Sequence, residues 1–172
     1  MITKLRRQAE AAGGEIHFLL GQPELDNLSN NYGKVSRTDI SIFGGISIRK
    51  KLFSSDYWIG TFLREKSQLA YISHNTLFIS AGITESMAQL GVQNINSYAR
   101  SALWLGYYST APIFHATSRA DIFYSDFANP NLQVRSEACS RLDKILVSLN
   151  VKRMIVSGSH MVKLSSSCYF YI

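Results

Sequence analysis

Cysteine is scarce in this chain of 172 residues, represented by Cys139 and Cys168 alone. Two thiols cannot build a disulfide framework, so a reducing compartment is expected, with the cytoplasm as the default location. Long apolar runs are missing too. No segment has the roughly 20 apolar residues that a membrane-spanning helix needs, and the polar opening Met1-Ile2-Thr3-Lys4-Leu5-Arg6-Arg7 lacks the apolar stretch of a secretory leader. No membrane partner is expected. Neither a Gly-x-x-x-x-Gly-Lys phosphate loop nor a Gly-x-Ser-x-Gly elbow occurs, which removes the usual sequence grounds for a nucleotide-cradling loop or a serine hydrolase. Four histidines and two cysteines fall at no zinc spacing. Ser159 and His160 are adjacent, and neighbours in sequence do not orient a nucleophile toward its base. Repeats, low-complexity tracts and linkers are absent, so residues 1–172 read as one domain, long enough to bury a core.

The composition that remains is globular, at 46% hydrophobic and 17% charged. The net charge of +6 is modest. Its basic clusters, Lys4-Arg6-Arg7, Arg49-Lys50-Lys51 and Lys152-Arg153, are short and scattered. They read as solvated surface, and nucleic acid is not expected as a partner.

Periodicity supplies a coarse map. Ile2, Leu5, Ala9 and Ala12 mark one face of an opening helix that Gly13-Gly14 stops. A short apolar run, Glu15 to Leu20, reads as a buried strand emptying at Gly21 into a tight turn, with a helix to follow at Leu25. His17 within that run reads as a satisfied core histidine. Thr38 or Asp39 is placed to cap a brief helical turn before Gly44-Gly45. A helix is expected from about Ser55 to Lys66 with Trp58, Phe62 and Leu63 inward, although Gly60 weakens it by about 1 kcal/mol relative to alanine. Gln68–Ile72 and Thr76–Ser80 form a hairpin around Ser73-His74-Asn75. Ser97–Leu105 reads as helix with Tyr98, Ala102 and Leu105 on one face, and residues 106–131 as irregular. Gln133–Asn150 is the clearest helix, striped by Val134, Ala138, Leu142, Ile145 and Leu149. Arg153–Val156 and Cys168–Ile172 read as closing strands.

The segment "HFLLGQPELDNLSNNYGKV", with the strand-like "LFISAG" and the terminal "MIVSGSHMV", resembles the calcineurin-like metallophosphoesterases, in particular the branch called Shewanella-like protein phosphatases. The resemblance covers nearly all of the chain in the family's order. It implies an α/β fold of sheets flanked by helices, here a single partial domain lacking the family's first strands. It also implies two divalent ions, manganese, iron or zinc, held about 3.5–4 Å apart to activate a hydroxide.

The resemblance places the family's functional residues on altered positions. Its Gly-Asn-His-Glu corresponds to Gly21-Gln22-Pro23-Glu24. Gln22 keeps an amide oxygen one methylene too far out. Pro23 stands where the acid histidine belongs, and a pyrrolidine ring can neither donate a proton nor contact phosphate through a polar side chain. Glu24 matches a carboxylate whose family role is chiefly structural. Ser80 takes the place of a histidine ligand, and a neutral hydroxyl is a poor ligand for such metals. Gly158 falls on the last histidine, with His160 two residues along. Ser125 corresponds to the substrate arginine. The family's Asp-x-His and Gly-Asp-x-x-Asp-Arg motifs have no counterpart.

These changes imply a degenerate, inactive phosphatase-like chain with no cofactor, whose metal positions survive only as Gln22, Ser80 and His160. Two alternatives stand beside it. One is an active phosphoesterase rebuilt around Gln22, Glu24 and His160, or completed by ligands from another chain; the other is a basic anion- or nucleic-acid-binding module. Because the resemblance puts missing strands beside the strand through His17, an exposed sheet edge is expected to promote self-association or capture of a complementary fragment.

Overall fold

Helix α1 (Ile2–Ala11) ends where Gly13 turns to a left-handed φ of 75°, and the chain enters a strand only two residues long, β1 (Phe18–Leu19). The computed structural model describes residues 2–80, 82–114, 132–156 and 168. The apolar run expected as strand from Glu15 is thus mostly extended coil, with Glu15 and Ile16 exposed. Helix α2 (Gln22–Leu28) follows at once, then α3 (Arg37–Ile42), α4 (Ile46–Leu52) and α5 (Trp58–Lys66). Ser36, rather than Thr38 or Asp39, caps α3: its hydroxyl accepts from the Asp39 N–H at 3.0 Å.

The inward face of α5 differs from the expected one. Trp58 is 64% exposed, while Gly60, Leu63 and Arg64 are buried, followed by Ser67 just past the helix. Those four positions recur at i, i+3, i+4 and i+7 and make a proper helical stripe. Leu63 lies inward as expected and Phe62 packs half-buried against the core, while Gly60, Arg64 and Ser67 carry no apolar signal. Likewise α7 (Val92–Leu105) buries Ile95, Ala99, Ala102 and Leu103 and leaves Tyr98 and Leu105 exposed.

The strands β2 (Ser67–Gln68) and β3 (Ala70–Ser73) are two parts of one run interrupted at Leu69. The α7 residue Asn96 explains the interruption. Its side-chain oxygen accepts from the Leu69 and Ala70 N–H groups, at 2.8 and 3.3 Å, and its amide donates to Ala70 O at 2.8 Å. β1 pairs with β2 in parallel; β3 pairs with β4 (Thr76–Ile79) as an antiparallel hairpin, Ala70 facing Ile79. His74 and Asn75 both take positive φ, 47° and 56°, as a two-residue hairpin turn of matching twist requires. Helix α6 (Glu85–Leu90) packs on α8 (Leu132–Leu149), and β5 (Arg153–Val156) adds to β4 in parallel.

Leu20, Leu69, Leu77, Ile79, Ile95, Leu103, Phe114 and Ile145 are fully buried between these layers. On α8 the expected stripe holds at Ala138, Leu142 and Ile145, with Leu149 half-buried. Cys139 on α8 is disulfide-bonded to Cys168, with a Cα–Cα distance of 5.5 Å. The cysteine argument for a reducing compartment therefore loses its basis, because the pair persists where surroundings are oxidising. The closing strand expected at 168–172 lies outside the described residues except for Cys168. Among the described residues no helix is long and apolar enough to cross a membrane.

Candidate functional site

The ends of β1 and β4 meet at one point of the fold. Leu20 N–H donates to Gln68 O at 2.8 Å beside Leu69–Ala70, and Ala70 in turn faces Ile79. Gly21 and Ser80 leave β1 and β4 there. A Cβ on Gly21 would lie 3.6 Å from Ser80 Oγ and only 2.8 Å from Glu24 Oε2. Glycine at 21 is thus what lets the Glu24 carboxylate close on the strand end. Val156 on β5 pairs with Ile79, so three chain segments converge here. The structure does bring Gln22 and Ser80 into one neighbourhood; His160, Gly158 and Ser125 lie outside the described residues.

The polar groups of this corner are committed to one another. Glu24 Oε2 accepts from Gly21 N–H at 2.9 Å, the half of a capping box that a glycine start permits. Gln22 Nε2 donates to Asp26 Oδ1 at 2.8 Å, and Asn31 Nδ2 donates to the same oxygen at 3.2 Å. Asn27 Nδ2 donates back to Pro23 O at 2.7 Å, while Asn27 Oδ1 accepts from Arg49 Nε at 2.7 Å. Arg49 Nη1 then reaches Asp39 Oδ2 at 2.6 Å, and its guanidinium stacks 4.4 Å from the Phe43 ring centre and 5.5 Å from that of Phe53. Asp26, Asn27, Arg49 and Ser80 are all buried.

This network was not visible in the sequence beyond its local steps. Gln22 to Asp26 and Pro23 to Asn27 are i,i+4 spacings on a helix and could have been read. Arg49 lies 22 residues from Asn27, and nothing in a one-dimensional pattern joins them. The sequence groups Arg49 with Lys50 and Lys51 as solvated surface; in the fold it is the buried member of that trio.

His17 sits at the other end of β1. It stacks on Tyr71 with centroids 3.5 Å apart, its Nδ1 lies 3.3 Å from Gln68 Oε1 and its Nε2 3.1 Å from Glu15 Oε2. It is half-buried and partnered, close to the satisfied histidine expected. Beside it opens a cleft of about 630 Å³, lined by Gly14, His17, Phe18, Phe62, Lys66 and Arg100 among others. Neither Gln22 nor Ser80 lines this cleft. Among the described residues no group of three or more His, Cys, Asp and Glu is placed to hold a metal ion.

No protein-family model and no curated protein matches this sequence. Solved structures do. One is a cold-active protein tyrosine phosphatase, 21% identical over 93% of this chain and 48% of that one, with a TM-score of 0.74. A point mutant of a cold-active protein tyrosine phosphatase gives 22%, 92%, 48% and 0.72. The cold-active protein-tyrosine phosphatase of a psychrophile, Shewanella sp., gives 22%, 90%, 47% and 0.70. The chain has their α/β fold, and it spans about half their length.

These names overturn the calcineurin-like metallophosphoesterase expectation, which they do not carry. The physical reason lies in the motif that anchored it. An apolar strand ending in Gly-x-x-Glu is what a strand-to-helix turn closed by a carboxylate cap requires, whatever the chemistry nearby. The pair of divalent ions that came with that resemblance has no donor cluster among the described residues.

Proposed function

We propose that this chain is a phosphatase-fold protein that does not itself hydrolyse phosphate esters. The observation that supports the reading is the state of the loop after β1. Hydrolysis needs a positioned proton donor, a nucleophile or ligands for an activated water, each with lone pairs or protons turned toward substrate. Here Gln22 donates to Asp26, which also accepts from Asn31, Glu24 accepts from Gly21, and Asn27 bonds Pro23 and Arg49. Pro23 offers no side-chain donor at all. Breaking such a network to recruit one member would expose buried, unpaired polar groups at about 1–3 kcal/mol each.

The test is turnover of a phosphotyrosyl peptide and of an aryl phosphate, with chelator or with added manganese or zinc. No hydrolysis above buffer is expected. Turnover that disappears in Gln22→Ala would overturn the reading.

A second reading is favoured by one observation: the matched structures are about twice as long as this chain. On that reading a second polypeptide pairs with the open side of β1, which among the described residues has β2 as its single neighbour. Such a partner would supply the catalytic groups that this corner does not offer.

A further inference from the structure

The cleft beside His17 lies at the far end of β1 from the corner after Gly21, and the reading of that corner leaves it unused. Four parts of the chain wall it: α1, the approach from Gly13 to β1, the end of α5 with β2, and α7. Its volume of about 630 Å³ falls within the range of about 300–1,000 Å³ that small-molecule sites occupy. The apolar part is an aromatic pair. Phe18 on β1 and Phe62 on α5 meet edge to face with ring centres 5.9 Å apart, and both are half-buried against the core. Such a pair leaves ring surface to which a further flat ring can add. Gly13 and Gly14 line the cleft without side chains, and a Cβ on Gly13 would meet nothing within 4 Å.

The charged groups of the cleft divide into paired and free. Arg6 Nε lies 2.7 Å from Glu10 Oε1 one helical turn away, and Glu15 Oε2 lies 3.1 Å from His17 Nε2. His17 is itself held by its stack on Tyr71 and by Gln68. Glu10 and Glu15 therefore already have partners. Glu65 and Lys66 on α5 and Arg100 on α7 also line the cleft, all three exposed, and none has an ion pair or hydrogen bond among the described residues. Phe62, Glu65 and Lys66 stand at i, i+3 and i+4, so they share one face of α5. The unpaired groups thus amount to two cations and one acid beside an aromatic surface.

We propose that this cleft binds an aromatic carboxylate, with its ring against Phe18 and Phe62 and its carboxylate served by Lys66 and Arg100. A single negative charge matches the excess of one cation among the unpaired groups. The ring supplies the burial that two exposed cations alone do not, because solvent-screened charge pairs contribute little. Glu65 opposes the ligand and sets the sign of one test.

Titration of the full chain with 2-naphthoate, followed by calorimetry and by a residue-resolved amide spectrum, tests this. Saturable binding is expected, with the amide signals of Gly14, Phe18 and Lys66 moving and those of Gly21 and Gln22 staying in place. Acetate carries the charge without the ring, and naphthalene-2-carboxamide the ring without the charge; each should bind at least roughly ten-fold more weakly. Lys66→Ala with Arg100→Ala should weaken naphthoate binding roughly ten-fold, whereas Glu65→Gln should tighten it roughly three-fold. All three side chains are exposed, so these variants change charge without threatening the core. Four results would overturn the proposal: no saturable binding, carboxamide binding as tight as naphthoate, wild-type affinity in the double variant, or signals that move at Gly21 and Gln22 instead of the cleft. Weaker binding by Glu65→Gln would also overturn it, because it would mark a site that holds a ligand's positive charge.

Discussion

At the residue scale, Gly60 shows how packing overrides propensity. Helix propensity alone says alanine at this position gains about 1 kcal/mol. A Cβ there would stand 1.9 Å from Ser54 O and 2.4 Å from Phe53 O, both backbone atoms with no side-chain freedom to retreat. The clash wins. Gly60→Ala should destabilise the chain by at least about 2 kcal/mol net, lowering the thermal midpoint by roughly 5 °C. A midpoint equal to or above wild type would show that α5 does not pack as described. In the sequence Gly60 counts only as a weakness of the helix, because the two carbonyls that require it are brought to it by the fold. Gly21 is legible as the end of the strand, but the sequence pattern starts the helix at Leu25 and does not show the Glu24 cap, and Asp39, Asn27 and Arg49 meet only in the folded chain.

Among the elements, those with a long apolar period were legible. α8 came within a residue of its observed bounds, and the β3–β4 hairpin within two, because a stripe over five turns and a two-residue turn are both local signals. α4 escaped because Ile46-Ser47-Ile48 alternates as a strand would, and its apolar residues face outward. α6 escaped because it is six residues long, although Thr84, whose hydroxyl accepts from Met87 N–H at 3.2 Å, is an N-cap signal that was there to be read. A count of two cysteines carries no information on whether the fold brings them together, and here it does. Its two half-cystines are 29 residues apart. Closing a loop of that size stabilises by about 3–4 kcal/mol in the chain-entropy account. Reduction, or Cys139→Ser, should therefore lower the thermal midpoint by about 10 °C. An unchanged midpoint after complete reduction would mean that the bond holds a segment contributing nothing to the cooperative core.

For the whole molecule, the sheet edge is the feature with the largest consequence. The strands form two small sheets, β1–β2 and β3–β4–β5; in the first, β1 stands at an edge among the described residues, and Ile16 just before it is exposed. Open backbone groups beside apolar side chains recruit further strands. Light scattering on the purified chain should therefore show species heavier than 19.3 kDa that grow with concentration. A sharp monomer at all concentrations would show that α1 and the segment after it close the edge unaided.

The central claim is that the polar groups of the corner after β1 hold the loop and are not offered to a ligand. A residue-resolved amide spectrum, titrated with inorganic phosphate and then with zinc, reads that corner directly. The account predicts that the amide signals of Gly21, Gln22, Glu24 and Ser80 stay in place throughout both titrations. Saturable movement of those signals would contradict it, because it would show a corner that still binds what a phosphatase site must bind.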